Sequence, residues 1–551
     1  MRPKILFTSP WGKYRKLPVE KDPIDYFYYR NTLKQGVFQL RSYQSWHSLH
    51  FLAQNVAVDS VVLENPTEKR LKREVKKGQY DIIAIGFTIL LSGKVLEMAE
   101  WIREEHPSVE IVVGGYGTAI FTEEYDVSIR LKTLVHHICY GEGMEFMNDL
   151  IYKKWGIENK KPLTQDLLPT TNSLFRTRIN LFNQFIVVGG LGCVYGCSFC
   201  ATSSLFNKRY IPLFGSKDLV DNLVKQSNRH PGVKSAVIYE EDFLINRPKV
   251  LEFIKLFSES PLSKRTFLLT IFASARSVNN FTTEELIACG IGTIFIGVES
   301  LSEDILENEG LVKRKSDIEL LFKRLHDNGI NTLGSLIVGW DNQSKAMAQA
   351  DSNRFIALNP TFYQSIPLHV IPGTALWEQM KKSNRIPENY QFETDGIVDF
   401  NFESRSFPHS EALEIVANTY SDLVKTGGPW PFRMFVNLLN GYLYLRHETN
   451  PILTRRASQY KKMIFPVCIL AFSSRFLIRG EGFAKSWKVT MALFARTFTL
   501  QFAVSLLAAP VIILLLAGIH LYGKALFMLS KYGDQPACSL TQYPKINSPI
   551  V

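Results

Sequence analysis

The sequence is poor in cysteine and has no hydrophobic leader at its start. Only seven cysteines occur among 551 residues, and three of them fall within eight positions. An odd number of cysteines with this clustering excludes a disulfide framework and suits a metal site better. The opening stretch MRPKILFTSP is typical of a short strand and lacks the long apolar core of a secretory signal. We therefore expect a cytoplasmic, reducing environment for the folded domains.

Acidic residues are also in deficit. The chain has 52 Asp and Glu against 63 Lys and Arg, a formal charge of +11. Such a surplus suits nucleic acid, anionic lipid or acidic substrates, but it also describes an ordinary basic surface, so it selects no partner. A hydrophobic content of 46% excludes widespread disorder. The length is too great for one core and predicts two to four domains.

Residues 1–145 alternate short apolar runs with helical stretches, which predicts an α/β domain with a doubly wound parallel sheet. The predicted strands are Lys4–Thr8, Asp59–Leu63, Asp81–Phe87, Glu110–Gly114 and His136–Tyr140. The predicted helices are Gln44–Gln54, Thr67–Val75, Lys94–Glu105 and Glu123–Leu131. Ligands of such sheets bind beyond the carboxyl ends of the strands, where Thr88 and the Gly114-Gly115 turn would lie.

A polar segment with two prolines, residues 146–182, predicts a linker. A second series of alternating strands and helices follows over residues 183–400 and predicts a partial (β/α)6 barrel. Its predicted strands are Gln184–Val188, Ser235–Tyr239, Phe267–Phe272, Thr293–Val298, Thr332–Val338 and Tyr363–His369. Chemistry in such barrels sits at the carboxyl ends of the strands, and a cysteine-rich loop follows the first strand here.

The last third of the chain differs in character from the rest. Residues 401–480 mix aromatic and basic side chains and predict a mostly helical extension, and residues 481–551 predict membrane-associated helices and a tail. The 27 residues between Arg496 and Lys524 include no Asp, Glu, Lys or Arg. That length exceeds the roughly 20 residues that cross a bilayer.

The apolar segment leaves several alternatives open. Pro510 near its middle favours a kinked span or a re-entrant hairpin, and the preceding Phe483–Phe494 has the pattern of an interfacial amphipathic helix. A buried apolar helix of a soluble domain is the remaining interpretation.

The cysteine-rich loop contains Cys193, Cys197 and Cys200 in the spacing CxxxCxxC. Three thiolates on a cubane iron–sulfur cluster leave one of its four irons open to another ligand. A zinc site would need a fourth protein ligand, and Cys289 and His230 are both distant in sequence. The spacing therefore favours a cluster.

With Phe199 directly before its last cysteine, this loop resembles the signature of the radical S-adenosylmethionine (SAM) superfamily. The resemblance implies a [4Fe-4S] cluster held by the three cysteines and reductive cleavage of SAM to a 5′-deoxyadenosyl radical, with flavodoxin or ferredoxin as electron donor.

Further segments resemble the SAM-binding signatures of that superfamily. Glu240 and Glu241, after the second barrel strand, resemble the acidic pair that meets the SAM amino group. Glu299, within Gly297-Val298-Glu299-Ser300, is similar to the glutamate of the GxES signature. Arg276 follows the third strand and could pair with the SAM carboxylate.

The N-terminal domain resembles the flavodoxin-like domain of the cobalamin-binding radical SAM group. Ile111-Val112-Val113-Gly114-Gly115 is similar to its double-glycine turn, Thr88 lies at a fitting distance upstream, and Tyr140-Gly141-Glu142-Gly143 resembles its GEG turn. The resemblance implies that Thr88, Gly114 and Gly115 contact cobalamin. The DxHxxG motif that supplies a histidine to cobalt is absent, and we interpret His47 and His50 as ordinary helix-face residues.

Together these features predict a membrane-associated, cobalamin-dependent radical SAM methyltransferase that acts on carbon in an apolar or lipid-like small molecule. A radical cyclase or rearrangement enzyme of the same group is the first alternative. The second is a non-catalytic membrane-tethered iron–sulfur or nucleic-acid-binding protein. No RNA-binding signature is visible, so nucleic acid is not the expected partner.

Overall fold

A computed structural model describes residues 3–12, 30–43, 45–174, 177, 179–309, 311, 317–388, 390–392, 400–529 and 537–545. The first six strands are β1 (Lys4–Thr8), β2 (Leu40–Tyr43), β3 (Asp59–Glu64), β4 (Ile82–Gly86), β5 (Glu110–Gly114) and β6 (His137–Cys139). The first five described α-helices are α1 (His47–Asn55), α2 (Glu68–Gly78), α3 (Ser92–Glu105), α4 (Asp126–Leu134) and α5 (Gly143–Trp155).

The first sheet has five parallel strands in the order β3-β1-β4-β5-β6, and a sixth strand from the C-terminal region pairs antiparallel with β3 at its edge. Each of the five predicted strands is present within one residue at either end, because each is an apolar run bounded by polar or turn residues. The central strands are buried, with Ile5, Leu6 and Phe7 of β1 fully inaccessible. Because parallel strands are covered on both faces, their carboxyl ends are the part of this sheet left open to a ligand.

In the described residues of the second region there are nine strands and nine helices. The strands are β7 (Thr170–Leu174), β8 (Asn180–Val188), β9 (Gly190–Leu191), β10 (Ile211–Pro212), β11 (Ser235–Tyr239), β12 (Leu268–Phe272), β13 (Ile291–Glu299), β14 (Asn331–Val338) and β15 (Phe362–Pro367). The helices are α6 (Ala201–Leu205), α7 (Ser216–Arg229), α8 (Arg247–Glu259), α9 (Ala275–Asn279), α10 (Thr283–Ala288), α11 (Glu303–Asn308), α12 (Ile318–Asp327), α13 (Lys345–Leu358) and α14 (Ala375–Lys382).

All six predicted barrel strands are present and pair in parallel in the order β15-β14-β13-β12-β11-β8. They form a curled half-barrel sheet. Two further strands, β7 and β2, extend its β8 edge in antiparallel pairing. The strand β2 belongs to the long connection between β1 and α1, so one segment of the N-terminal region is built into the barrel sheet.

The segment 146–182, which the sequence predicts as a linker, is tied to both sheets. It contains most of α5 and all of β7. The side chain of Asn55, at the end of α1, bonds the backbone of Thr164 in both directions. The side chain of Gln165 does the same for Val188 at the end of β8. Polar composition here reflects side chains that satisfy the backbone of neighbouring elements, which a sequence pattern does not distinguish from solvation.

The C-terminal region is helical and ends in a strand. Its elements are α15 (His409–Gly427), α16 (Trp430–Leu445), α17 (Pro451–Leu477), α18 (Glu481–Thr497), α19 (Thr499–Leu529) and β16 (Ser539–Tyr543). Helix α19 continues through Pro510, so the predicted re-entrant hairpin does not form. Its residues Thr499–Leu526 make the one segment of the described chain long and apolar enough to cross a membrane. After it, β16 returns to the first sheet and pairs antiparallel with β3.

Candidate active site between the two sheets

A cavity of about 570 Å³ lies between the carboxyl ends of the first sheet and the cysteine-loop end of the half barrel. Glycines contribute much of its wall, so backbone borders the space directly; they are Gly86, Gly114, Gly115, Gly141, Gly143, Gly190 and Gly192. Thr88, Glu240 and Glu241 also line it. The structure thus brings five of the predicted site residues to one cavity, two from the barrel and three from the first sheet.

The N-terminal wall combines a glycine turn with unsatisfied polar atoms. Gly115 has φ of +92° and ψ of −172°, a conformation that glycine alone adopts readily. A Cβ at this position would lie 3.0 Å from the carbonyl oxygen of Phe87. The hydroxyl of Thr88 is buried and has no hydrogen-bond partner. Because buried polar atoms are normally paired, this wall fits a polar ligand that supplies the missing bonds.

His47 belongs to the same wall. It is the first residue of α1 and lines the cavity, with Nε2 3.4 Å from the hydroxyl of Thr170 and a buried Nδ1 that has no hydrogen-bond partner. Burial lowers the pKa of His47 to about 4, so its imidazole is neutral at pH 7. The interpretation of His47 as an ordinary helix-face residue is therefore incomplete. His50, by contrast, does not line the cavity and contacts Glu64 and the hydroxyl of Tyr543 instead.

The cysteine loop is held by its own backbone and a serine. The Ser203 hydroxyl accepts a bond from the Gly196 amide (3.0 Å) and donates one to the Cys193 carbonyl (3.2 Å). Gly192 has φ of +81°, and a Cβ there would lie 2.2 Å from the carbonyl oxygen of Arg209. The tight turn before Cys193 therefore requires glycine.

None of the three loop cysteines forms a disulfide. Cys193 is buried, whereas Cys197 and Cys200 are partly exposed. Within the described chain no three His, Cys, Asp or Glu side chains converge closely enough to surround a single metal ion. The donor set, three thiols on one short loop, fits a cluster that spans a larger volume than one ion.

The two glutamates after β11 differ in what they contact. Glu240 is buried, accepts a bond from the Tyr210 hydroxyl (2.8 Å) and pairs with Lys249 at 3.2 Å. Burial raises the pKa of Glu240, and the ammonium of Lys249 opposes that rise. Glu241 is exposed at the cavity wall. Both residues of the predicted pair line the cavity, Glu240 as a buried side chain held by Tyr210 and Lys249 and Glu241 as an exposed one.

Asp242 is a site residue that sequence reasoning missed. Its carboxylate accepts bonds from the Tyr195 hydroxyl of the cysteine loop (3.1 Å) and from Ser277 (2.8 Å) at the start of α9. Burial raises the pKa of Asp242. The residue therefore connects the cysteine loop to the third strand unit. Its position directly after the acidic pair was the only signal in the sequence.

Tyr116 is a second missed residue. It follows Gly115, lines the cavity and hydrogen-bonds Thr202 on α6 at 2.8 Å. Burial of its hydroxyl, and then the negative charge of Glu241, raise the pKa of Tyr116. Because Thr202 lies two residues after Cys200, this contact joins the glycine turn of the first sheet to the cysteine loop of the second.

Glu299 and Arg276 lie outside the cavity wall. Glu299 is buried at the end of β13 with φ of +61°, an uncommon conformation for a residue other than glycine. Its carbonyl accepts the indole N–H of Trp340 at 3.5 Å, and Trp340 packs edge-on against Phe199 of the cysteine loop. Arg276 is exposed on α9. Glu299 is thus connected to the cysteine loop through Trp340, and neither Glu299 nor Arg276 is among the residues that line the cavity.

Comparisons with known proteins bear on the family of the domain that carries the cysteine loop. Residues 187–351 match the Radical SAM superfamily. A bacteriochlorophyllide d C-12(1)-methyltransferase of Chlorobaculum tepidum is 25% identical over 386 residues, which cover 65% of this chain and 80% of that enzyme. An uncharacterised methyltransferase of Pyrococcus horikoshii is 24% identical over 362 residues, 60% of this chain and 76% of that protein.

Among solved structures, the fold is similar to the radical SAM methyltransferase TsrM from Kitasatospora setae, whose structure holds cobalamin and a [4Fe-4S] cluster. The TM-score is 0.54 at 13% identity, and the likeness covers 86% of this chain and 100% of TsrM. This similarity concerns the fold. Because residues 187–351 match the Radical SAM superfamily, the chain contains a radical SAM domain, the part of such enzymes that uses a [4Fe-4S] cluster and SAM. The alternative of a non-catalytic protein is not supported.

Proposed function

Because residues 187–351 form a radical SAM domain, we propose that the protein is a cobalamin-dependent radical SAM methyltransferase that methylates carbon in an apolar or lipid-like molecule at a membrane surface. The observation that carries the proposal is the single cavity whose two walls come from the glycine turn of the first sheet and the barrel strands beside the cysteine loop.

Each wall has a separate task in this proposal. Cys193, Cys197 and Cys200 would hold the cluster, and Glu241, with Arg276 and Glu299, would bind SAM. Thr88, Gly114 and Gly115 would bind cobalamin. They belong to the first sheet, and the order of its parallel strands, β3-β1-β4-β5-β6, is similar to that of flavodoxin-like sheets, which supports this role. When bound, the cluster and SAM supply a radical that abstracts hydrogen, and cobalamin supplies the methyl group.

The protein's own residues would position the ligands and the cysteine loop and exclude water from the cavity. Gly115 lets a ligand approach the backbone, and Asp242 holds the cysteine loop through Tyr195. The contact between Tyr116 and Thr202 keeps the two walls together. Aromatic and aliphatic side chains, including Phe51, complete the cavity and exclude water from a reactive radical.

The substrate class follows from the cavity and the C-terminal helices. Phe51, Leu52, Leu213 and Phe272 line the space, and this apolar lining fits an apolar substrate. One similar enzyme is named for methylation of bacteriochlorophyllide d. The exposed apolar helix α19 supports delivery from a membrane. Flavodoxin or ferredoxin is the proposed electron donor.

The test is an anaerobic assay of the detergent-purified protein after reconstitution with iron and sulfide. We expect reductant-dependent formation of 5′-deoxyadenosine, lost in Cys197→Ala and retained in the matched Cys538→Ser variant, because Cys538 lies far along the chain in the C-terminal tail. Absence of SAM cleavage in a protein that carries a full cluster would contradict the proposal.

The same assay separates methyl transfer from cyclisation or rearrangement. With cobalamin and an extract of membrane lipids, a methyltransferase accumulates S-adenosylhomocysteine and a product heavier by one methyl group. A cyclase or rearrangement enzyme cleaves SAM to deoxyadenosine without either. Retention of corrin by the protein, measured by absorbance after gel filtration, tests cobalamin binding independently of turnover.

A further inference from the structure

Helix α19 presents two opposite faces. One face packs on α17 and α18 and on the 3-10 helix Gly36–Phe38, and Ser505, Ala509 and Leu516 on that face are buried. The other face is apolar and exposed, and its residues recur every seven positions. They are Leu500, Leu507, Leu514, Leu521 and Met528, which are 66–79% exposed. An exposed apolar stripe this long is typical of a surface that binds another protein or a membrane.

The packed face follows the body of the protein for most of the helix. Phe502 contacts the main core, and Leu516 and Ile519 contact a cluster that includes Val37, Phe38 and Trp430. At 1.5 Å per residue, Phe502 to Ile519 spans about 26 Å, close to the roughly 30 Å thickness of a hydrocarbon core. A perpendicular α19 would therefore place that part of the body inside the bilayer.

The strand that follows α19 sets a second constraint. β16 pairs with β3 of the first sheet over five residues, and Lys545 beyond it bonds the last carbonyls of α1. Were α19 to cross the bilayer, β16 would lie on the side opposite to β3. The two strands cannot pair across a membrane, so this pairing and a spanning α19 are incompatible.

Charge favours a lipid surface as the partner of the exposed stripe. Residues 451–529 contain ten Lys and Arg and one acidic residue, a net charge of +9 within the chain's total of +11. One of the ten, Arg456, is buried against the carbonyls of Ile287 and Ile291. The others lie on α17, α18 and α19 and in the turn between α17 and α18. Each basic residue that comes near an anionic surface contributes about 1 kcal/mol.

We propose that α19 lies in the plane of an anionic membrane, with its exposed stripe in the lipid and both of its ends on the side of the catalytic domains. This inference rests on the proposed function, which places catalysis at a membrane surface, and it specifies how the protein is attached there. Helix α19 lies along the membrane plane and does not cross the bilayer. The catalytic cavity and the helix are then fixed relative to one membrane face.

Binding is tested by flotation of the full chain with vesicles of phosphatidylcholine, with and without phosphatidylglycerol. We expect flotation with the anionic vesicles, and a drop of about tenfold or more in the vesicle-bound to free ratio for Leu514→Lys. The matched control is Leu320→Lys, an exposed leucine on α12 that is 63% accessible. Equal flotation of wild type and Leu514→Lys would overturn the proposal.

Orientation is tested with Cys538, an exposed cysteine directly before β16. Sealed inverted membrane vesicles that carry the protein are treated with a membrane-impermeant maleimide, beside a Glu124→Cys variant that marks the catalytic side. In-plane attachment predicts labelling of both positions without permeabilisation. Labelling of Cys538 only after permeabilisation would show a spanning helix and overturn the inference. Either result leaves SAM cleavage by the same preparation unchanged, so failure here is distinct from failure of the proposed reaction.

Discussion

Two histidines one helical turn apart, His47 and His50, have opposite environments. His50 hydrogen-bonds the hydroxyl of Tyr543 through Nδ1 (2.6 Å), and its Nε2 lies 3.1 Å from the carboxylate of Glu64. His47 lines the cavity, and its buried Nδ1 has no hydrogen-bond partner. Burial lowers the pKa of the His47 imidazole, so the side chain is neutral at pH 7 and its protonation at lower pH reduces the stability of the fold. Replacement of His47 should therefore change two properties that can be measured separately, namely the pH dependence of stability and the binding of corrin in the cavity.

The first prediction concerns His47→Gln. The folded-state pKa of His47, about 4, lies below its ordinary value of 6.5. The unfolded chain therefore binds the proton first, and stability is lost as pH falls from 6.5 towards 4, by up to about 1.4 kcal/mol per pH unit. Denaturant unfolding at pH 7 and pH 5 should show a smaller difference in His47→Gln than in wild type.

The control is His326→Gln. His326 is a half-buried residue of α12 whose pKa desolvation also lowers to about 4, and it lies outside the cavity wall. Its replacement should reduce the same pH dependence. Only His47→Gln should weaken corrin binding in an absorbance titration. Equal corrin affinity in both variants would show that His47 does not contact the cofactor.

The second prediction concerns the glycine turn. Gly115→Ala introduces a Cβ 3.0 Å from the Phe87 carbonyl in a backbone region that is nearly restricted to glycine. We expect a loss of about 2–3 kcal/mol of stability and at least tenfold weaker corrin binding. Gly156→Ala is the control, because Gly156 has φ of +67° and no atom within 4 Å of its added Cβ. It should cost about 1 kcal/mol and leave corrin binding intact.

At the scale of elements, β16 is a cover for the edge of the first sheet. Its pairing with β3 occupies backbone groups that would otherwise be an exposed strand edge. The contacts extend beyond the backbone, since Ser539 donates to Glu64 at 2.7 Å and Tyr543 bonds His50. The C-terminal strand thereby supports α1, the helix that begins with His47.

The third prediction is that Tyr543→Phe lowers stability by about 1–3 kcal/mol, because Nδ1 of buried His50 loses its partner. The measurement is the thermal unfolding midpoint of the full chain. Tyr152→Phe serves as control, since Tyr152 is 59% exposed on α5 and surface changes of this kind remain within about 0.5 kcal/mol. A loss as small as that of the control would mean that β16 is held by its backbone alone.

At the scale of the whole molecule, an ion pair between the buried Glu123 and the half-exposed Lys381 joins the first-sheet region to helix α14 of the half barrel. Glu123, after β5, accepts bonds from the indole of Trp377 and the ammonium of Lys381 on α14, both at 2.7 Å. Tyr125 packs against Phe392 nearby. This junction and the contact between Tyr116 and Thr202 both connect the first-sheet region to the half barrel.

The fourth prediction is that Glu123→Ala costs about 1–3 kcal/mol, because it leaves the buried Trp377 indole N–H without an acceptor. Calorimetry should show a lower midpoint and a partial separation of the unfolding transitions of the two sheets. Glu124→Ala removes the adjacent exposed carboxylate and should leave the trace of wild type. An unchanged trace for Glu123→Ala would show that the sheets unfold as one without this pair.

The sequence by itself determined the features that depend on local pattern. Apolar runs bounded by turns located the parallel strands of both sheets within a few residues, since burial on both faces requires continuous hydrophobicity. The antiparallel edge strands β2, β7 and β16 were not predicted. The spacing of Cys193, Cys197 and Cys200 on one loop was likewise sufficient to predict a radical SAM domain, which the match of residues 187–351 supports. Such features need no knowledge of distant residues.

Only the tertiary structure decided which residues share the cavity. Tyr116 meets Thr202 across 86 positions, and Glu240 is committed to Tyr210 and Lys249, while His47 turns towards the cavity. The C-terminal strand finds β3 more than 470 residues earlier, and that pairing determines the orientation available to α19. These contacts join segments far apart in the chain, and their free energies depend on burial and geometry that a local pattern does not contain.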